Sequence, residues 1–78
     1  MAARTIYHVV YDSDEQHWEV KRQGAERASF VFETKEEAIE KARAVAKNNK
    51  PSQVIVHKKD GVIETEWTYG DDPASSPG

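Results

Sequence analysis

The sequence predicts an α+β domain: a four-stranded antiparallel sheet in spatial order 2-1-3-4, with one helix packed on one face and the chain order ββαββ. Three observations carry that expectation. Two pairs of β-branched and aromatic runs are each joined by a turn signal. A single helical stripe lies between the pairs. The first and third runs are apolar on both alternating faces, as central strands are.

The first run, Thr5 to Asp12, ends in Asp12-Ser13-Asp14-Glu15-Gln16, a polar turn that returns the chain through His17-Trp18-Glu19-Val20-Lys21-Arg22 as a β-hairpin. Thr34 then stands three residues before Glu37, the capping-box spacing, so a helix starts after Thr34. Ala38, Ile39, Ala42, Val45 and Ala46 form its apolar stripe, with Glu36, Glu40, Arg43 and Lys47 turned outward. Most of that stripe is small, which lets the helix lie close to a sheet. Asn48-Asn49-Lys50-Pro51 ends it: Asn tolerates a left-handed cap, the lysines complement the negative helix end, and proline stops continuation. Gln53 to Lys58 and Val62 to Trp67 then flank Lys59-Asp60-Gly61, a short hairpin signal.

Strands two and four carry Glu19, Lys21, Glu64 and Glu66 and suit the sheet edges. A helix returning from strand two makes strand three parallel to it with strand one between, so every neighbouring pair is expected to be antiparallel. One helix covers one face. The second face is left to Phe30-Val31-Phe32 and the C-terminal tail, or to a second copy of the chain.

Seventy-eight residues make one domain, taken as residues 1–69, with an acidic Pro-Ser-Gly tail over 70–78 that is ordered in part at most. The chain has no cysteine, so no disulfide reinforces a core near the lower size limit. That absence and the lack of a long apolar run favour a cytoplasmic protein without signal peptide, membrane span or membrane partner. The net charge of −3 is uneven: residues 1–59 hold all 11 bases against nine acids, while residues 60–78 hold five acids and no base.

His8, His17 and His57 lack zinc-site spacing and have no cysteine to complete one, so no metal and no cofactor are expected. His8 and His57 lie on adjacent predicted strands and are placed to meet as a hydrogen-bonded sheet pair. Ser13, Ser29 and Ser52 have no nucleophile-elbow context, and the pairs Asp12/Asp14 and Asp71/Asp72 fall in a turn and a tail, so the chain is read as non-catalytic. The remaining candidate is an anion or nucleic-acid site on the basic connection, formed by Lys21, Arg22, Arg27 and Lys35, with Trp18 as a stacking surface. Against it stand Glu26, Glu33, Glu36 and Glu37, which neutralise these cations locally.

Tyr7-His8-Val9-Val10, Trp18 with Val20-Lys21-Arg22, Gly24 to Ser29, Phe32, Thr34 to Ile39, Val54-Ile55-Val56-His57, Asp60-Gly61 and Tyr69 to Pro73 follow one another along nearly the whole chain. In that order and spacing the sequence resembles a family of short bacterial proteins catalogued as a domain of unknown function. The resemblance implies a small bacterial protein and brings no catalytic residues with it. It also implies that Tyr69 to Pro73 belong to the domain pattern, from which Ala74-Ser75-Ser76 depart. The expected function is a binding or assembly module that self-associates through its sheet as a homodimer. The alternative is a nucleic-acid-associated accessory protein; another protein is a further possible partner.

Overall fold

The computed structural model describes residues 4–70; the acidic segment after Gly70, and with it the expected tail, lies outside the described residues. The elements are β1 (Thr5–Asp12), β2 (His17–Arg22), β3 (Phe30–Phe32), α1 (Lys35–Asn48), β4 (Ser52–His57) and β5 (Ile63–Tyr69). The strands form one five-stranded sheet in the order β3-β2-β1-β4-β5. The predicted class and the relative order of the four predicted strands hold, but the all-antiparallel four-stranded sheet does not.

The correction comes from Phe30–Phe32. This run pairs antiparallel with β2 through Trp18↔Phe32 and Val20↔Phe30, so the chain reverses once more before the helix. That added reversal sends β4 alongside β1 in the parallel sense, with Tyr7 opposite Val54 and Val9 opposite Val56. β2 is therefore an inner strand. Its charged residues, Glu19 and Lys21, mark the uncovered sheet face rather than an edge. Phe30 to Phe32 extends the sheet and does not fold across its second face.

The turns form as their residues require. Asp12 Oδ1 accepts from the amides of Asp14 (3.0 Å) and Glu15 (3.3 Å), closing the β1–β2 turn, with Gln16 at φ 57°. In the β4–β5 turn Gly61 takes φ 96°, a region that favours glycine, and Asp60 Oδ1 accepts from the Val62 amide at 3.0 Å. Thr34 caps α1, its hydroxyl oxygen accepting from the Glu37 amide at 3.2 Å. The C-cap differs from expectation: Asn49 has φ −130°, outside the left-handed region, and its side-chain amide donates to the Val45 carbonyl at 2.8 Å. Ser52, fully buried, donates to the Ala46 carbonyl at 2.6 Å and ties the helix end to β4.

The core lies between α1 and one sheet face. Tyr7, Val9, Trp18, Val20, Val54 and Val56 are buried beneath Ala38, Ala42 and Ala46. Because the helix presents alanines there, it covers a narrow strip, and the larger rings stand beside it. Long cationic side chains from the helix lie over those rings: Lys35 over Trp18 (5.7 Å), Lys41 over Phe30 (4.7 Å), Arg43 over Trp67 (4.7 Å) and Lys47 over Tyr69 (5.9 Å). Arg43 Nε also donates to the Tyr69 hydroxyl at 2.7 Å. Tyr69 is thus packed into the domain, as its place in the family pattern implied. No helix among the described residues is long and apolar enough to cross a membrane.

Candidate functional site

Alternation along the strands places a second set of side chains on the face away from α1. Cross-strand pairing arranges them in rows. Lys21, His8, Ile55 and Glu66 form one row through the pairs His8↔Lys21, His8↔Ile55 and Ile55↔Glu66. Glu19 and Val10 pair in the next row, with Val31 beyond Glu19, and Asp12 pairs with His17 at the hairpin end. Ile6, Val10 and Ile55 are half-buried, while Val31 and Ile63 are 53% and 52% exposed. No described element crosses this face.

His8 and His57 meet near its centre, as their strand positions predicted. His8 Nδ1 and His57 Nε2 are 3.0 Å apart, His57 Nδ1 donates to the Gly61 carbonyl at 3.1 Å, and His8 Nε2 lies 2.9 Å from Gln23 Oε1. With that oxygen accepting, His8 Nε2 donates to Gln23; turning the Gln23 amide over makes His8 Nε2 the acceptor. All four ring nitrogens are engaged in either state.

The five residues of the expected anion site are not brought together. Lys21 and Arg22 line a shallow cleft with His8, Val10, Gln23, Gly24, Ala25 and His57. Arg27 is exposed on the connection after it. Lys35 and Trp18 belong to the helix side: Trp18 is buried against Tyr11, and Lys35 Nζ pairs with Glu64 at 2.6 Å. Among the described residues no carboxylate lies within ion-pair distance of Lys21, Arg22 or Arg27.

A second cluster was missed in the sequence. Asp12, His17 and Glu19 converge at the hairpin end of the open face, their ligating atoms all within 4.8 Å of one another. His17 Nε2 lies 2.8 Å from Glu19 Oε2 and 3.7 Å from Asp12 Oδ2. Asp12 is held below its ordinary carboxylate pKa, first by the Glu15 amide, against an opposing effect of burial, with the Asp14 amide, Glu19 and His17 adding to the lowering. The signal was available: a hairpin pairing Asp12 with His17 puts Glu19, two residues further on, on the same face.

Residues 7–69 match the family described as "Uncharacterized protein conserved in bacteria (DUF2188)". The chain belongs to this family. It is also similar to a protein of Bacillus subtilis (strain 168) described as "Uncharacterized protein YdaT", 43% identical over 53 residues, which are 68% of this chain and 35% of that protein. The matched segment therefore spans about a third of that relative's length. No solved structure matches the chain. The expected resemblance to a bacterial domain of unknown function is thus shown, and both descriptions leave activity open.

Proposed function

We propose that this domain is a non-catalytic assembly module that pairs with a second copy of itself through the open face of its sheet. The observation that carries the reading is the uncovered face itself. Ile6, Val10, Ile55, Val31 and Ile63 lie on the side opposite α1, and no described element covers them. A second copy is favoured over other occupants by charge. Lys21 and Glu66 stand at opposite ends of one cross-strand row, with His8 and Ile55 between them. A twofold axis running along the strands between β1 and β4 would lay that row on its copy, setting Lys21 of each protomer opposite the partner's Glu66. Such self-complementarity is what an isologous interface requires.

Sedimentation equilibrium on the full chain tests this. A dimer is expected at micromolar concentration, Lys21→Glu should shift it towards monomer, and Lys21→Glu combined with Glu66→Lys should restore it. A monomeric mass up to about 1 mM, the weakest end of ordinary affinities, would remove the proposal. Dimerisation that appears only after removal of residues 71–78 would assign the face to the chain's own tail.

The nucleic-acid reading is supported by Lys21, Arg22 and Arg27, which have no carboxylate in ion-pair distance among the described residues, and it draws less support from Lys35 and Trp18, which lie on the other side of the sheet. If it holds, retention on single-stranded DNA should weaken with salt, and each of Lys21 and Arg22 replaced by Ala should lower the log–log slope by about 0.7.

A further inference from the structure

We infer that Asp12, His17 and Glu19 form a binding site for one divalent transition-metal ion of the zinc class. The donors are one imidazole nitrogen and two carboxylate oxygens, a set that suits zinc and its first-row neighbours and leaves a coordination position open. Donors bound about 2.0–2.2 Å from such an ion stand about 3.3–3.6 Å apart at tetrahedral angles. The observed separations from His17 Nε2, 2.8 Å to Glu19 Oε2 and 3.7 Å to Asp12 Oδ2, straddle that range, and all three donor atoms lie within 4.8 Å of one another, so side-chain adjustments on the order of 1 Å bring the three to one centre.

The geometry favours an ion over a simple ion pair. His17 Nε2 holds at most one proton, which it can donate to Glu19, leaving Asp12 Oδ2 facing the same nitrogen beyond hydrogen-bond distance. A divalent ion engages both carboxylates at once. The donors are also partly sheltered and fixed. Side-chain exposures are 22% for His17, 31% for Asp12 and 16% for Glu19, all three sit on paired strands, and Asp12 Oδ1 is held by the turn amides so that Oδ2 points to the cluster. Orientation of a ligand by its outer partners is what metal sites use. The other imidazoles, His8 and His57, have every ring nitrogen occupied and offer no such vacancy. Asp12 lies four residues along β1 from the Lys21–Glu66 row, about 13 Å at strand rise, while Glu19 lies two residues along β2 from Lys21, about 7 Å, so the cluster adjoins that row at the hairpin end.

Isothermal titration of the untagged full chain with zinc chloride at neutral pH provides the test, together with amide and side-chain broadening by manganese in two-dimensional NMR. One ion per chain is expected, with broadening centred on residues 12, 17 and 19. His17→Ala should weaken binding at least about 10-fold, Glu19→Gln should do the same with less disturbance of the hairpin, and His57→Ala should leave it unchanged. Circular dichroism identifies a variant that has unfolded; if His17→Ala does so, Glu19→Gln and Asp12→Asn decide the outcome. Absence of binding at millimolar zinc overturns the inference. So does binding that survives Glu19→Gln and Asp12→Asn but is lost in His8→Ala or His57→Ala, which would place the ion on the central pair.

Discussion

Replacing Ala42 by leucine should destabilise this domain more than any change of similar size on the outer side of the helix. Ala42 is fully buried at the middle of the alanine strip, above a sheet face whose central residues Val9, Val20, Val54 and Val56 are also fully buried. Leucine adds three carbons where no solvent-accessible space remains, so either the helix lifts or the valines leave their rotamers. Overpacking of this kind costs about 1–3 kcal/mol. A core of this size yields roughly 3–5 kcal/mol in all, so the loss removes a large part of the stability. With a urea dependence of about 1 kcal/mol per molar, the denaturation midpoint should fall by about 1–3 M. Lifting the helix would also displace Lys41 from Phe30 and Arg43 from Trp67, adding a change in tryptophan emission. Ala44→Leu is the matched control: the same substitution at an exposed position of α1 should stay within about 0.5 kcal/mol. Equal midpoints for the two variants would refute the close seating of α1 on the sheet.

Thr34→Ala removes the oxygen that accepts from the Glu37 amide and should cost about 0.5–2 kcal/mol in chemical denaturation; an unchanged midpoint would mean that the cap contributes nothing. Asp12 has a folded-state pKa below its unfolded value, so its contribution is present above about pH 4 and is lost as pH falls through the folded value. Asp12→Asn should therefore lower stability at neutral pH and flatten its decline below pH 4, and parallel acid profiles for the two proteins would contradict the assignment. His57 should be the Nδ1–H tautomer when neutral, because Gly61 supplies only an acceptor; long-range nitrogen–proton NMR reads this, and an Nε2–H form would break the proposed network. Gly70→Ala should destabilise by about 1 kcal/mol or more, since φ is +74° and an added Cβ would meet the Lys50 side chain; a neutral result by thermal melting would show that the strand end yields freely.

The helix and both hairpins were legible because each has a local cause. Thr34 and Glu37 carry the cap, Asp60-Gly61 carries one turn, and the Asp12 carboxylate carries the other. The sheet sense was not legible because it depends on counting reversals, and three residues, Phe30 to Phe32, supply one of them. So short a run shows too little alternation to declare itself a strand, and its pairing is decided by the neighbouring Trp18 and Val20. One hidden reversal changed β1–β4 from antiparallel to parallel while leaving the order of the other four strands intact. The charges of β2 misled for a related reason: Glu19 and Lys21 are tolerated on an inner strand because one sheet face is open.

The candidate sites divide along the same line. His8 and His57 were placed to meet by their adjacent strands, and the parallel register that sets His8 opposite Ile55 brings them together on one face. The residues of the basic connection are divided because strand positions alternate between faces: Trp18 turns to the core, Lys21 to the open side, and Lys35 is held on the helix side by Glu64 and the Trp18 ring. The Asp12–His17–Glu19 cluster follows the opposite logic. Its members are separated by a turn in the sequence, yet antiparallel pairing and a two-residue step place them on one face. A sequence search for ligands at local spacing passes over such a set, whereas tracing faces through a hairpin recovers it.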